Sequence, residues 1–326
     1  MSDIDAMLVH AYPIIQSGPS PGVGAGPGRF NIAAPRASRR FHTPPLHWGV
    51  PLLEAFNLRK AYAGRTVVDG VSFSIGHAEV VGLLGRNGAG KTTSFRICIG
   101  MIEADDGRVI FDGEDVTLLP MYQRARRGMG YLSQEPSVFQ RLTCEQNLLA
   151  ILETLPLSRA QRRARAAELL EQFHLSHKAR HPARTCSGGE RRKLEIARAL
   201  VTDPRLILLD EPFSGVDPIA VEDLQREILR LRDAGIACLI TDHNVQQTLR
   251  VCDRACIIDE GRLFAEGTPR ELINDPMVRR VYLGSLFRGD EFDTPPALHA
   301  PSHPVPPPAP ANGAAPVHSP DGRPNT

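Results

Sequence analysis

The sequence has no run of eighteen apolar residues and no charged-then-apolar leader at its start. It is therefore expected neither to cross a bilayer nor to carry a secretory signal. It also lacks a charge of one sign: 38 Lys and Arg face 37 Asp and Glu, for a net charge of +1. Without a basic excess, nucleic acid is not expected as the main partner. Cysteine is sparse and scattered over Cys98, Cys144, Cys186, Cys238, Cys252 and Cys256, with no C-x-x-C pair. That spacing argues against a zinc site, and a chain able to bury a core needs no disulfide framework. Several of these thiols sit in apolar runs, as small buried hydrophobes do, which fits a reducing, cytosolic setting. No internal repeat appears, so a single functional unit is expected. An apolar fraction of 42% is that of an ordinary globular protein.

The two ends differ from the middle. Residues 1–50 carry clusters such as Gly18-Pro19-Ser20-Pro21-Gly22, and residues 289–326 run through Pro304-Val305-Pro306-Pro307-Pro308. Such segments bury too little apolar area to offset the entropy of ordering. They are expected to be a disordered leader and a disordered, polyproline-prone tail. A folded domain is expected over residues 51–288.

Within it, Glu54 to Val71 holds two β-like runs around Ala63-Gly64, and Val71-Ser72-Phe73-Ser74-Ile75 alternates with period two. Val80-Val81-Gly82-Leu83-Leu84 reads as a buried strand. Arg108-Val109-Ile110-Phe111 before Asp112-Gly113 signals a hairpin, and Met129 to Gln134 reads as a further strand. From about 142 to 202 the pattern is helical, including a charged amphipathic helix from Ala160 to Phe173. Apolar strands return at 206–209, 237–240 and 255–258, the first two separated by a helix from about Ala220 to Ala234. Strands alternating with helices, and nearly continuous in apolar residues, predict an α/β fold. Its parallel sheet would be covered on both faces and interrupted by one helical insertion.

Gly85-Arg86-Asn87-Gly88-Ala89-Gly90-Lys91-Thr92-Thr93 fits G-x-x-x-x-G-K-[ST], between the Val80 strand and a helix from Thr93 to Cys98. Glycines let backbone N–H groups turn inward around phosphate oxygens, at the positive end of a helix. Lys91 would reach the β- and γ-phosphates, and the Thr92 hydroxyl would sit on Mg²⁺. Phosphoryl transfer to water further needs a metal ligand and a group that polarises the water. Asp210 and Glu211, ending the apolar run Leu206-Ile207-Leu208-Leu209, supply candidates for these two roles. His243, after another strand, is placed to hydrogen-bond the γ-phosphate. Ser187-Gly188-Gly189-Glu190 has capping-box spacing and opens a second glycine-rich helix start. A helical insertion separates it from its own Lys91, whereas two chains facing head to tail could bring the two together.

Taken in order, the phosphate loop, Gln134, Ser187-Gly188-Gly189-Glu190, Asp210-Glu211, Asp217 and His243 resemble an ABC-transporter ATPase subunit over roughly residues 52–288. The resemblance implies a P-loop NTPase with a RecA-like parallel-sheet core, an N-terminal antiparallel β subdomain and a helical subdomain at about 135–195. It implies ATP and Mg²⁺ as cofactors. Tyr62 would stack on adenine, and Gln134 would contact Mg²⁺ and the attacking water. Ser187, Gly188 and Gly189 would close over the ATP of a partner copy, with Asp217 communicating across the homodimer. Phe139 would lie in the groove near Gln134 that receives two membrane permease subunits. Association with the cytoplasmic face of the inner membrane would come only through them. Three positions depart from the family pattern. Cys186 replaces a leucine and is expected to pack, Arg86 replaces a proline and is expected to point outward, and Gln140 stands where arginine is usual. Stretches such as Arg124-Ala125-Arg126-Arg127-Gly128 and Arg280-Val281-Tyr282-Leu283-Gly284 resemble the ATPases of lipopolysaccharide exporters. The second reading is an importer of branched-chain amino acids. Importers of that kind commonly carry Glu-His-Asp at the switch histidine, and Asp242-His243-Asn244 favours export.

Overall fold

The computed structural model describes residues 50–283; the expectations for residues 1–49 and 284–326 lie outside the described residues. Strand β1 (Leu53–Tyr62) turns through Ala63-Gly64 into β2 (Arg65–Ile75), and both turn residues have positive φ. Strand β1 also pairs antiparallel with β4 (Asp106–Phe111), which turns through Asp112-Gly113 into β5 (Glu114–Asp115). The Asp-Gly pair again takes positive φ, the conformation that lets a tight turn match the twist of its strands. The result is a four-stranded antiparallel sheet in the order β2-β1-β4-β5.

The second sheet contains β3 (Val80–Gly85), β6 (Met129–Leu132), β7 (Leu206–Asp210), β8 (Ala237–Thr241), β9 (Arg254–Asp259) and β10 (Arg262–Gly267). Its order is β10-β9-β3-β8-β7-β6, parallel from β9 to β6. Strand β10 is an antiparallel edge that the sequence pattern did not announce. Its residues are partly exposed and mixed in polarity, so they lack the continuous apolar run of an interior strand.

The interior strands divide two cores between their faces. On β7, Leu206 and Leu208 join the core that also contains Phe95, Ile97 and the antiparallel sheet, while Ile207 and Leu209 join the core of the helical region. On β8, Ala237 and Leu239 face the first core and Cys238 and Ile240 the second. Both faces are dry, which is why these strands show no polar alternation.

Helix α1 (Lys91–Ile99) follows the phosphate loop, and α2 (Met121–Arg126) precedes β6. Helices α3 (Cys144–Leu152), α4 (Arg159–Gln172) and α5 (Gly188–Ala199) lie between β6 and β7. Each of these three starts at a Ser or Thr capping box. Helix α6 (Pro218–Asp233) starts at Asp217, whose side chain accepts from the Ala220 amide at 3.0 Å. Helix α7 (Val245–Leu249) joins β8 to β9. After β10 come α8 (Pro269–Asn274), a turn at Pro276–Val278 and a π-helical turn at Arg279–Leu283.

Candidate nucleotide site and signature cleft

Parallel register assembles the site. Leu83 of β3 pairs with Thr241 of β8, and Asp210 of β7 pairs with the same Thr241. The carboxyl ends of three adjacent strands therefore coincide, and ligands gather at such ends in open α/β sheets. The phosphate loop leaves β3 there, Glu211 follows β7, and Asp242 and His243 follow β8.

Two glycines make the loop path possible. A Cβ on Gly85, at φ 148°, would stand 2.1 Å from the Ile258 carbonyl oxygen, and one on Gly90, at φ 102°, would stand 2.6 Å from that of Val67. No other residue fits either position. Gly90 is the N-cap of α1 and gives no side-chain hydrogen bond, unlike the Ser and Thr caps of α3 to α5. The first amides of α1 are thus left for an external acceptor such as phosphate. Arg86, Asn87 and Gly88 are exposed on the loop while Ala89 is buried, so Arg86 points outward as its position required. Thr92 and Thr93 are half-buried in the first turn of α1.

Lys91 donates from Nζ to the carbonyl oxygens of Gly85 at 2.6 Å and Arg86 at 2.9 Å. Burial lowers its pKa, against the opposing charges of Glu211 and Asp242. Those two carboxylates are thereby in electrostatic reach of the loop lysine.

Asp210 is only 4% exposed and accepts from the Thr241 hydroxyl at 2.9 Å. Burial raises its pKa, as it must for a carboxylate in an apolar sheet. Glu211 has φ 44°, and its amide donates to the Thr241 carbonyl at 2.7 Å. Gln134 donates from Nε2 to Glu211 Oε2 at 2.7 Å, and His243 Nδ1 stands 3.5 Å from the same oxygen. Gln134, Glu211 and His243 therefore converge on one carboxylate, although they come from three different strand ends.

For Mg²⁺, the described residues contain no cluster of three or more His, Cys, Asp and Glu side chains. The expected donors Thr92, Gln134 and Asp210 would supply hard oxygens, too few for a complete protein cage. That fits a cation bound jointly with substrate phosphates and water.

Ser187, Gly188, Gly189 and Glu190 lie in a separate cleft of about 370 Å³, together with Asp217, Ile219, Lys193 and Asp223. No phosphate-loop residue lines it. Ser187 and Glu190 form a reciprocal capping box, with Ser187 N donating to Glu190 Oε2 at 2.8 Å and Glu190 N to Ser187 Oγ at 3.2 Å. The Ser187 amide holds the Glu190 carboxyl below its ordinary pKa. Cys186 is buried with its Sγ 3.5 Å from that of Cys144, a packing role as expected.

Tyr62 is 45% exposed at the end of β1, with the Lys60 ammonium 5.7 Å from its ring centroid. Phe139 is half-buried rather than open. Asn147 grips both its amide and its carbonyl, and the Arg198 guanidinium lies 4.7 Å from its ring centroid. Gln140 beside it is exposed.

Three residues escaped the motif reading. Asp242 is fully buried and accepts from the amides of Phe213 at 2.9 Å and Asn244 at 2.8 Å, tying the segment after β7 to the segment after β8. Burial raises its pKa. Arg124 is fully buried under the carboxyl end of α1, and Tyr282 touches Gly85. All three lie inside stretches that carry the family resemblance, Asp242-His243-Asn244, Arg124 to Gly128 and Arg280 to Gly284, but those stretches assign them no role of their own.

The family described as ABC transporter matches residues 68–214. The chain is 54% identical over 237 residues to the Escherichia coli K12 protein "Lipopolysaccharide export system ATP-binding protein LptB", covering 72% of this chain and 98% of that one. It is 52% identical over 238 residues to the Haemophilus influenzae protein of the same name, covering 73% of this chain and 99% of that one. A crystal structure of an ATP-binding cassette of an ABC transporter in its ADP conformation superposes with a TM-score of 0.66. Its sequence is 31% identical, with 72% of this chain and all of that chain covered. With the phosphate loop, the strand-end carboxylates and the capped glycine helix start in place, the chain belongs to the ABC-transporter family as an ATP-binding, ATP-hydrolysing subunit.

Proposed function

We propose that this chain powers the extraction of lipopolysaccharide from the inner membrane and its export toward the outer membrane. The observation that carries the cargo is identity of 52% to 54% to LptB proteins along nearly their whole length. The importer reading gains no comparable support, and Asp242-His243-Asn244 is retained against it.

In this reading the backbone of residues 85–93 and Lys91 bind the phosphates, and Tyr62 stacks on adenine. Lys91 exchanges the carbonyls of Gly85 and Arg86 for phosphate oxygens, a swap favoured by the charge its half-buried ammonium already carries. Glu211 orients and polarises the attacking water, with Gln134 and His243 fixing the carboxylate and reporting the γ-phosphate. Thr92, Gln134 and Asp210 would hold Mg²⁺, which neutralises charge on the phosphates. The separate signature cleft supports a shared site: Ser187, Gly188 and Gly189 of one copy cover the nucleotide held by Lys91 of the other, and Asp217 stands at their border.

Among the described residues no helix is long and apolar enough to cross a membrane. Contact with the cytoplasmic face of the inner membrane would run through two permeases of LptF/LptG type docking near Gln134–Phe139. Half-buried Phe139 offers an apolar edge there, beside the exposed Gln140. The decisive experiment purifies the chain from its native membrane and identifies the permeases that accompany it. Lipopolysaccharide-export permeases uphold the reading, and amino-acid permeases overturn it.

A further inference from the structure

The residue that holds the start of the phosphate loop comes from far along the chain. Tyr282, in the π-helical turn after α8, accepts a hydrogen bond at its hydroxyl from the Gly85 amide at 3.0 Å, across 197 residues of sequence. The Gly85 carbonyl, on the other side of the same Cα, receives Lys91 Nζ at 2.6 Å. Gly85 is thus tied at its amide by Tyr282 and at its carbonyl by the loop lysine, while its bare Cα passes the Ile258 carbonyl too closely for any side chain.

The surroundings of Tyr282 reach the other half of the site as well. It packs on an apolar cluster that includes Leu84, the residue before Gly85, and Leu249 of α7, the helix that follows His243. Leu272, Ile273 and Val278 seat the C-terminal segment in that same cluster. Burial pushes the Tyr282 hydroxyl up to about 12, with the Asp242 charge adding to the rise and the Gly85 amide opposing it. The hydroxyl is therefore protonated across the working pH range, and Asp242 lies within its electrostatic reach.

We propose that Tyr282 is a positioning residue for nucleotide binding, its hydroxyl fixing the Gly85 peptide and so the seat from which Lys91 meets the β- and γ-phosphates. The C-terminal turn is then part of the nucleotide site, although it contributes no atom to the phosphate cradle. The proposal rests on ATP binding by residues 85–93 and is independent of the transported cargo, so its failure leaves the cargo assignment standing.

Tyr282→Phe removes the hydroxyl and keeps the ring. In the full-length protein, the dissociation constants for ATP and ADP should both rise about fivefold, the scale set by one lost hydrogen bond. Both should rise together, because the β-phosphate is common to them. In the complex with its permeases, KM for ATP should rise by the same factor while kcat stays at the wild-type value. Val278→Ala, which thins the same apolar cluster and keeps the hydroxyl, should lower Tm and leave both dissociation constants unchanged. Wild-type nucleotide affinity in Tyr282→Phe overturns the proposal. So does an equal loss of affinity in Val278→Ala, which would make the effect one of packing.

Discussion

Glu211 occupies a backbone conformation, φ 44°, that residues with a Cβ avoid. Such a conformation costs on the order of 1–3 kcal/mol and persists only where neighbours over-determine it. Here the Glu211 amide is held by the Thr241 carbonyl at 2.7 Å and its carboxylate by Gln134 at 2.7 Å. That conformation carries the side chain off β7 to a place between Gln134 and His243, the residues that follow β6 and β8, where the proposed general base for water stands. Glu211→Gln keeps the shape and the contact with Gln134 but cannot take a proton. Steady-state ATPase activity should fall by about 100-fold or more, with ATP affinity retained in an equilibrium binding assay. Turnover near wild type would remove Glu211 from its proposed role. The carboxylate itself was legible, because an apolar strand ending in two acids downstream of a phosphate loop has few other uses. Asp242 was not, because its function is to bind the Phe213 and Asn244 amides, and nothing in a neighbouring motif says which buried acid will do that.

Helices set the next scale, and α1 is built asymmetrically. Its N-terminus is bare of side-chain caps, whereas its carboxyl end is occupied by a buried cation. Arg124 donates to the carbonyl oxygens of Ile97 at 2.8 Å and Cys98 at 2.7 Å, and to those of Leu119 and Thr117, both at 2.8 Å. A guanidinium at a helix carboxyl end favours the dipole that the phosphate meets at the other end. Burial lowers its pKa, yet the four carbonyls leave it solvated by backbone alone. Arg124→Met should cost about 3 kcal/mol, or on the order of 8 °C in Tm by calorimetry, because several buried acceptors lose their donor. Helix α5 makes a different point about its start. Since the Ser187 amide lowers the Glu190 pKa, the folded state favours the ionised carboxylate. That contribution is complete above the ordinary value of 4.5 and is lost as pH falls through the lower folded value. The stability gap between wild type and Glu190→Gln should therefore be constant near neutrality and close in acid below 4.5. A denaturation series in urea against pH would show a flat gap if the carboxylate played no part. At this scale the sequence was most readable: hairpin turns at Ala63-Gly64 and Asp112-Gly113 and apolar strands at β7 and β8 have strong local signals. Strand β10 and Arg124 were unreadable, since edge pairing and a long-range cap depend on tertiary neighbours.

At the scale of the whole molecule, the distribution of ligand groups argues that one copy holds two incomplete sites. The phosphate loop converges with Glu211 and His243, whereas Ser187, Gly188 and Gly189 line a cleft without any loop residue. Ile219, at the mouth of that cleft, is 77% exposed, an apolar side chain that association would cover. ATP can drive closure only by binding the closed state better than the open one. Moving an equilibrium from mostly open to mostly closed takes a differential affinity of about 10⁴, which two nucleotides shared as proposed would supply at roughly 100-fold each. Purified Glu211→Gln, free of permeases, should therefore double its mass in light scattering when ATP and Mg²⁺ are added, and ADP should not substitute. A bulky charge in the signature cleft, Ser187→Arg, should abolish that doubling while leaving ATP binding to Lys91 of the same chain intact. If the Ser187→Arg protein still doubled, the cleft would not be the surface that meets the partner's nucleotide, and the two-site argument would fail with it.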